Sequence, residues 1–174
     1  PSTENGWTQE LSYSFSANRT IDLGTKKLRI GSEESSILYW GGGRLKFTTS
    51  TDYTETLSDF YSQEHQICWC WDDTSISTTS ASPDAGAWYK ITDDQLLLWV
   101  DARSYGAADD DSKQCYIEIN LTNHSDPTGV KFVYGDTNSG TQTTNTSYWN
   151  PRDGVIGINY GYEDIVVTTS NTID

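Results

Sequence analysis

The stretch from 115 to 134 reads CYIEINLTNHSDPTGVKFVY, and it decides the fold class of this 174-residue chain. Apolar residues alternate with mostly polar ones on both sides of a central turn. Alternation with a period of two places one set of side chains on one face of a β-strand. The apolar set is Cys115, Ile117, Ile119 and Leu121 before the turn, and Val130, Phe132 and Tyr134 after it. Proline and glycine between the two halves favour a turn, so the stretch predicts a β-hairpin.

Similar patterns recur along the rest of the chain. Alternating segments lie at residues 11–15, 28–30, 45–47 and 67–71, and continuous apolar runs lie at 37–40, 96–100 and 165–167. Glycine- and proline-rich clusters at 41–43, 82–86 and 150–154 separate them. Only residues 52–63 show helical spacing, and a strand is the alternative there because the segment is rich in threonine and tyrosine. The sequence therefore predicts an all-β fold, a two-sheet antiparallel sandwich of jelly-roll type with at most one short helix, in a single domain spanning 1–174.

Composition excludes several classes of protein. The chain has 25 acidic and 11 basic residues, a formal net charge of −14, and such a surface repels the phosphates of nucleic acids. Its longest apolar run, 96–100, is far shorter than the roughly 20 residues that cross a bilayer. Only 34% of residues are hydrophobic, but 13% are aromatic, and a few large rings can build a core.

Signatures of catalysis are scarce. Only His65 and His124 could act as imidazole bases, and neither accompanies a recognisable nucleophile or metal motif. Pairs of carboxylates that could serve a glycosidase occur, but they fall at strand ends and in loops, where acidic residues are usually solvated. We therefore expect a protein that is not an enzyme and has no cofactor other than a structural calcium ion.

That calcium site is predicted at Asp109, Asp110 and Asp111, because hard cations bind clustered carboxylate and carbonyl oxygens on a turning loop. A second acidic loop, residues 136–140, resembles the opening of a calcium loop but departs from the EF-hand pattern. A solvated acidic turn is the alternative interpretation of both segments.

The cysteines and the glycosylation sequons indicate in which cellular compartment the protein is found. Cys68 and Cys70 share one face of a predicted strand, and Cys115 on a neighbouring strand could pair with either of them. We expect one disulfide, Cys70 to Cys115, and the alternative is three reduced, buried thiols. The sequons lie at Asn18, Asn120, Asn123 and Asn145. Together with the absence of methionine, these features predict a secreted, disulfide-bonded glycoprotein.

The aromatic residues divide into two predicted groups. Phe15, Phe47, Phe132 and Trp99 fit the core, whereas other aromatics stand beside predicted loops. Flat rings at loop edges can stack on the apolar face of a sugar, while neighbouring polar groups bind its hydroxyls. The predicted ligand-binding residues are Trp40, Trp88, Tyr89, Tyr148, Trp149 and Arg152.

In composition and predicted architecture the whole chain is similar to the non-catalytic carbohydrate-binding modules of secreted polysaccharidases. The resemblance implies binding of an oligo- or polysaccharide, and no residue is carried over from it. The alternative is a structural subunit of an extracellular filament, coat or capsid that self-assembles through an extended terminus. On the first interpretation Trp7, the one tryptophan in a polar N-terminal stretch, packs on its own domain. On the second, it is buried by a neighbouring subunit.

Overall fold

A computed structural model describes most of the chain. The described residues are 1–10, 18–49, 57–62, 65–71, 74–75, 86–104, 113–121, 129–134, 155–161 and 164–168. No helix in these ranges is long and apolar enough to cross a membrane.

Fourteen strands, one short α-helix and one 3₁₀ turn occur in the described ranges. In chain order they are the 3₁₀ turn Thr3–Asn5, β1 Thr8–Glu10, β2 Arg19–Asp22, β3 Leu28–Ile30, β4 Glu33–Ser35, β5 Ile37–Gly41, β6 Arg44–Lys46, α1 Leu57–Ser62, β7 Gln66–Trp71, β8 Thr74–Ser75, β9 Gly86–Ile91, β10 Gln95–Ser104, β11 Lys113–Asn120, β12 Val130–Tyr134, β13 Val155–Asn159 and β14 Asp164–Thr168.

The strands form two large antiparallel sheets that pack together. Sheet one has the order β1-β9-β10-β11-β12, with β8 pairing the end of β10. Sheet two has the order β14-β13-β7-β6-β5-β2, and β3 and β4 form a separate hairpin. The predicted all-β, two-sheet antiparallel sandwich is confirmed.

The core lies between the facing sides of the two sheets. Its buried residues follow the period of two: Leu96, Leu98 and Val100 from β10, Cys115, Ile117 and Ile119 from β11, and Leu38, Trp40, Leu45, Ile67 and Trp69 from sheet two. Phe47 and Phe132 pack against this cluster, as the sequence predicts. Phe15 lies outside the described residues, and Trp99 lies on the other face of sheet one, so its predicted core position is wrong.

The hairpin predicted over residues 115–134 is confirmed as the antiparallel β11–β12 pair. Cys115 is opposite Tyr134, Ile117 is opposite Phe132 and Ile119 is opposite Val130. The side chains of Cys115, Ile117, Ile119, Val130 and Phe132 lie on the inner face. The turn residues 122–128 lie outside the described part of the chain. Leu28 and Ile30 of β3 are buried around exposed Arg29, which also matches the predicted alternation.

The helix α1 occupies part of the segment predicted to be helical. Its Phe60 is fully buried, and the carbonyl oxygen of Phe60 accepts hydrogen bonds from Gln66 Nε2 at 3.2 Å and Asn159 Nδ2 at 2.8 Å. These bonds fix α1 against β7 and β13 on the side of sheet two that faces away from sheet one.

The predicted Cys70–Cys115 disulfide is wrong, because Cys115 is a free thiol. Cys115 lies on β11 in sheet one, whereas Cys70 lies on β7 in sheet two, so the two strands are not neighbours. Cys68 is also a free, buried thiol.

Candidate functional site

The outer face of sheet one, which turns away from sheet two, carries a line of apolar side chains. Trp88, Trp99, Tyr116 and Val133 are paired in register on β9, β10, β11 and β12. Because paired residues of adjacent strands point to the same face, these four side chains form a line that runs across the strands. We call this line the aromatic row.

One end of the aromatic row is buried and the other is open to solvent. Trp88 is only 9% exposed, Trp99 and Tyr116 are partly buried, and Val133 is 40% exposed. Gln9 of β1 is opposite Trp88, so the N-terminal segment lies beside this buried end of the row. A ligand therefore has access to the row mainly from the side of β11 and β12.

Trp7 is held over the middle of this face by the N-terminal turn. Its indole ring lies 6.5 Å from the ring of Tyr116 and is tilted by 55° to it. Trp7 N and Asn5 N both donate to the carbonyl oxygen of Ser2, and Gly6 adopts a φ of +76° that closes the turn. Lys90 Nζ on β9 donates to the carbonyl oxygen of Asn5 at 2.7 Å and attaches the turn to the sheet.

A second line of side chains runs beside the aromatic row on the same face. It consists of Lys90, Leu97, Glu118 and Lys131, which are again paired in register across β9 to β12. Lys131 Nζ lies 3.5 Å from Glu118 Oε2. We call this line the polar row, and it gives the face both hydrogen-bond donors and acceptors.

Tyr116 connects the two rows. Partial burial, the charge of Glu118 and a hydrogen bond between the two side chains all raise the pKa of the Tyr116 phenol above its ordinary value. The phenol is therefore neutral at physiological pH and donates its proton to the Glu118 carboxylate. This bond fixes the orientation of both side chains on the open part of the face.

The indole nitrogen of Trp99 is a donor without an acceptor. Trp99 Nε1 is buried and makes no hydrogen bond to any part of the chain that the structure describes. An unsatisfied buried donor costs about 1–3 kcal/mol.

The residues that the sequence predicted as sugar ligands are not brought together. Trp40 is fully buried in the core, which corrects its predicted place at a loop edge, because β5 continues through Gly41 and Trp40 points inward from it. Tyr89 also faces inward, beside Trp40. Trp88 lies on the outer face, at the buried end of the aromatic row. Tyr148, Trp149 and Arg152 lie outside the described residues.

The sequence analysis missed Trp99 and Tyr116 as surface residues. Both occupy the positions between inward-facing residues of their strands, so the period of two could have indicated them. Residues 96–100 form a continuous apolar run, which by itself does not show which side of the strand faces inward, so the run does not place Trp99 on the surface. A lone tyrosine between two buried residues is common in strands and gives no signal of a site at Tyr116.

The predicted calcium ligands Asp109, Asp110 and Asp111 lie outside the described residues, as does the loop at 136–140. Within the described ranges, no group of three or more histidine, cysteine, aspartate or glutamate residues could hold a metal ion. Among the sequon asparagines, Asn18 is half-buried and Asn120 is exposed at the end of β11. Asn123 and Asn145 are not described.

A second polar cluster lies on the outer side of sheet two, beneath α1. Arg44, Lys46, Gln66 and Asn159 are buried there together with Cys68. Arg44 Nη1 lies 3.5 Å from Gln66 Oε1. Burial raises the pKa of the Cys68 thiol to about 12, although the charges of Arg44 and Lys46 partly oppose this shift. Because these groups lie under the helix, we interpret the cluster as the polar layer that attaches α1 to the sheet.

No model of a protein family matches the chain, and comparisons with curated proteins and with solved structures found no significant similarity. The class of protein therefore follows from the fold and the candidate site alone. They define a β-sandwich with an aromatic surface on the outer face of one sheet.

Proposed function

We propose that this protein is a non-catalytic carbohydrate-binding module and that the aromatic row is its binding surface. The observation that carries the proposal is the register of Trp99 and Tyr116, which places two partly exposed aromatic rings side by side on one sheet face, with Trp7 packed against Tyr116. The apolar face of a pyranose ring packs well on such a surface, and ring hydroxyls require nearby donors and acceptors. The polar row supplies both.

The N-terminus has a place in the proposal as well. β1 pairs with β9 of the same chain, with Gln9 opposite Trp88, and Trp7 packs on Tyr116 of the same chain. On this proposal Trp7 and β1 keep these contacts within one chain, whereas in a subunit that exchanges its terminal strand a neighbour would receive them. An extracellular location, where most polysaccharides occur, is part of the proposal.

The proposal is tested by measuring the retention of the protein on a glycan array and on insoluble polysaccharides. Replacing Tyr116 with Ala should abolish retention while the protein remains folded, because this ring is partly exposed and lies at the open part of the row. Tyr61→Ala is the matched control: Tyr61 is 50% exposed on α1, far from sheet one in the fold, and its loss should leave retention unchanged.

Two results would contradict the proposal. One is wild-type protein that is retained on no glycan. The other is purified protein that forms large ordered particles and loses them when residues 1–7 are removed, which would support the filament, coat or capsid subunit instead.

A further inference from the structure

We infer that residues 1–7 form an autoinhibitory strap, which holds Trp7 on Tyr116 in place of a ligand and must lift before a saccharide can bind there. The inference rests on the proposed function and adds to it a means of regulation. The strap consists of the 3₁₀ turn Thr3–Asn5 with its flanking residues, and β1 follows it directly.

Trp7 occupies apolar surface that a ligand of this face needs. Its ring lies 6.5 Å from the ring of Tyr116, and β9 and β10 separate β1 from β11 in the sheet. The side chain of Trp7 therefore extends from the edge of the sheet across its outer face to reach Tyr116. A sugar ring that stacks on Tyr116 uses the same kind of contact, so the indole and the sugar compete for one surface.

The strap is held closed without burying any residue of its turn Thr3–Asn5. Residues 3–6 are exposed, and Trp7 is half-buried. The strap is attached to sheet one by the contact between Trp7 and Tyr116 and by the bond from Lys90 Nζ to the carbonyl oxygen of Asn5. Segments that bury little apolar area open at a much lower free energy than the whole fold, so the strap can lift while the sandwich stays folded.

The strap ends at β1, which stays in place when residues 1–7 move. β1 pairs with β9, and Glu10 forms an ion pair with Arg19 of β2 at 3.5 Å, so this strand contacts both large sheets. Gly6 stands just before Trp7 with a φ of +76°, a conformation that closes the turn and that an open strap does not require. The energy of the closed strap can therefore be raised at Gly6 without changing a side chain on the face.

The experiment measures saccharide affinity by isothermal titration calorimetry, with a panel of one- to four-unit oligosaccharides of glucose, galactose, mannose and xylose. Trp7→Ala removes the competing ring. Gly6→Ala strains the closed turn, since the added Cβ meets only an ordinary contact, Lys90 Cε at 3.8 Å. Both variants should bind about threefold to tenfold more tightly than the wild type, because the apparent dissociation constant falls as the open fraction rises.

Gly24→Ala is the matched control for Gly6→Ala. Gly24 has a φ of +65°, lies between β2 and β3 outside the strap, and has no atom within 4 Å of an added Cβ. It carries a similar backbone strain and should leave the affinity unchanged. Thermal unfolding checks that all variants are folded; if Trp7→Ala is unfolded, Trp7→Leu and Gly6→Ala make the same comparison.

Hydrogen exchange of the strap amides reports displacement directly. The amides of Asn5, Gly6 and Trp7 donate within the closed turn, to the carbonyl oxygens of Ser2 and Thr3. The panel saccharide that binds most tightly should speed their exchange by at least about threefold, because a ligand that favours the open strap shifts the population toward it. The amide of Leu23, which donates to the carbonyl oxygen of Ser36, is the reference and should not change.

The outcomes separate this inference from the proposed function. If Trp7→Ala and Gly6→Ala bind more weakly than the wild type, or if bound saccharide slows exchange in the strap, Trp7 belongs to the binding surface. In that case the inference is wrong and the proposed function stands. Equal affinities of the wild type and both variants overturn the inference in the same way. If the wild type and both variants bind no saccharide, the proposed function is wrong and this inference is wrong with it.

Discussion

Trp40 and Tyr89 meet edge to face across the core, with ring centroids 6.1 Å apart and planes at 85°. Trp40 projects from sheet two and Tyr89 from sheet one, so this pair joins the two layers of the sandwich. Edge-to-face packing places the positive edge of one ring against the negative face of the other and stabilises the pair beyond the burial of area alone.

Replacing Trp40 with Ala should therefore destabilise the fold strongly. Removal of a fully buried tryptophan costs about 3–5 kcal/mol, since the contacts of the ring are lost and a cavity remains. The free energy of unfolding from urea titration measures the effect. Tyr61→Ala, which removes an exposed ring, should change it by less than about 1 kcal/mol. Equal effects of the two substitutions would show that Trp40 is not a core residue.

Gly161, which follows β13 of sheet two, allows a second prediction about the stability of the fold. Gly161 has a φ of +83°, and a Cβ atom added there would lie 2.6 Å from His65 Cε1. His65 is held in place, because its Nδ1 donates to the carbonyl oxygen of Ile30 at 3.0 Å and its ring stacks on Phe47. Gly161→Ala should therefore cost both the backbone strain of a positive φ and the displacement of the imidazole.

Gly24→Ala separates the two costs. Gly24 has a similar φ of +65°, but no atom lies within 4 Å of the added Cβ. Gly24→Ala should lower the free energy of unfolding by roughly 1 kcal/mol, which is the cost of a positive φ at alanine. Gly161→Ala should lower it distinctly more. In a double-mutant cycle, His65→Ala should remove much of that excess. If Gly161→Ala and Gly24→Ala have equal effects, His65 does not occupy the space beside Gly161.

The buried thiol of Cys68 should make stability depend on alkaline pH. Burial raises its pKa to about 12 in the folded protein from an ordinary value of 9.0. The unfolded chain therefore releases this proton at a lower pH than the folded protein does. The contribution to stability is fully present below about pH 9 and is lost as the pH rises from 9 toward 12.

The measurement compares the wild type with Cys68→Ala between pH 7 and pH 11. Above pH 9 the wild type should lose stability faster than the variant, by up to about 1.4 kcal/mol per pH unit. Parallel curves would contradict the assigned burial. Alkylation of the native protein should leave both Cys68 and Cys115 unmodified, and both should react after unfolding in urea without any reductant.

Local sequence determined the strands and the pairing of consecutive ones. The period of two in β3, β7 and β11 shows which side chains are buried, because side chains alternate strictly between the two faces of a strand. The glycine and proline clusters mark several of the turns, and the β11–β12 hairpin follows from one turn between two alternating runs. Trp69 could be expected in the core for the same reason.

Only the tertiary structure decided which strands pair when they are far apart in the sequence. It also decided which aromatic residues remain at the surface. Cys70 and Cys115 lie in different sheets, because their strands pair with segments that are far apart in the sequence. No local pattern encodes those pairings. Trp40 and Trp99 both lie in apolar runs, yet one faces the other sheet and the other faces outward. The sequence by itself predicted an aromatic-rich sandwich, whereas the register of β9, β10 and β11 assembled the aromatic row, because inter-strand hydrogen bonding alone sets which side chains stand side by side.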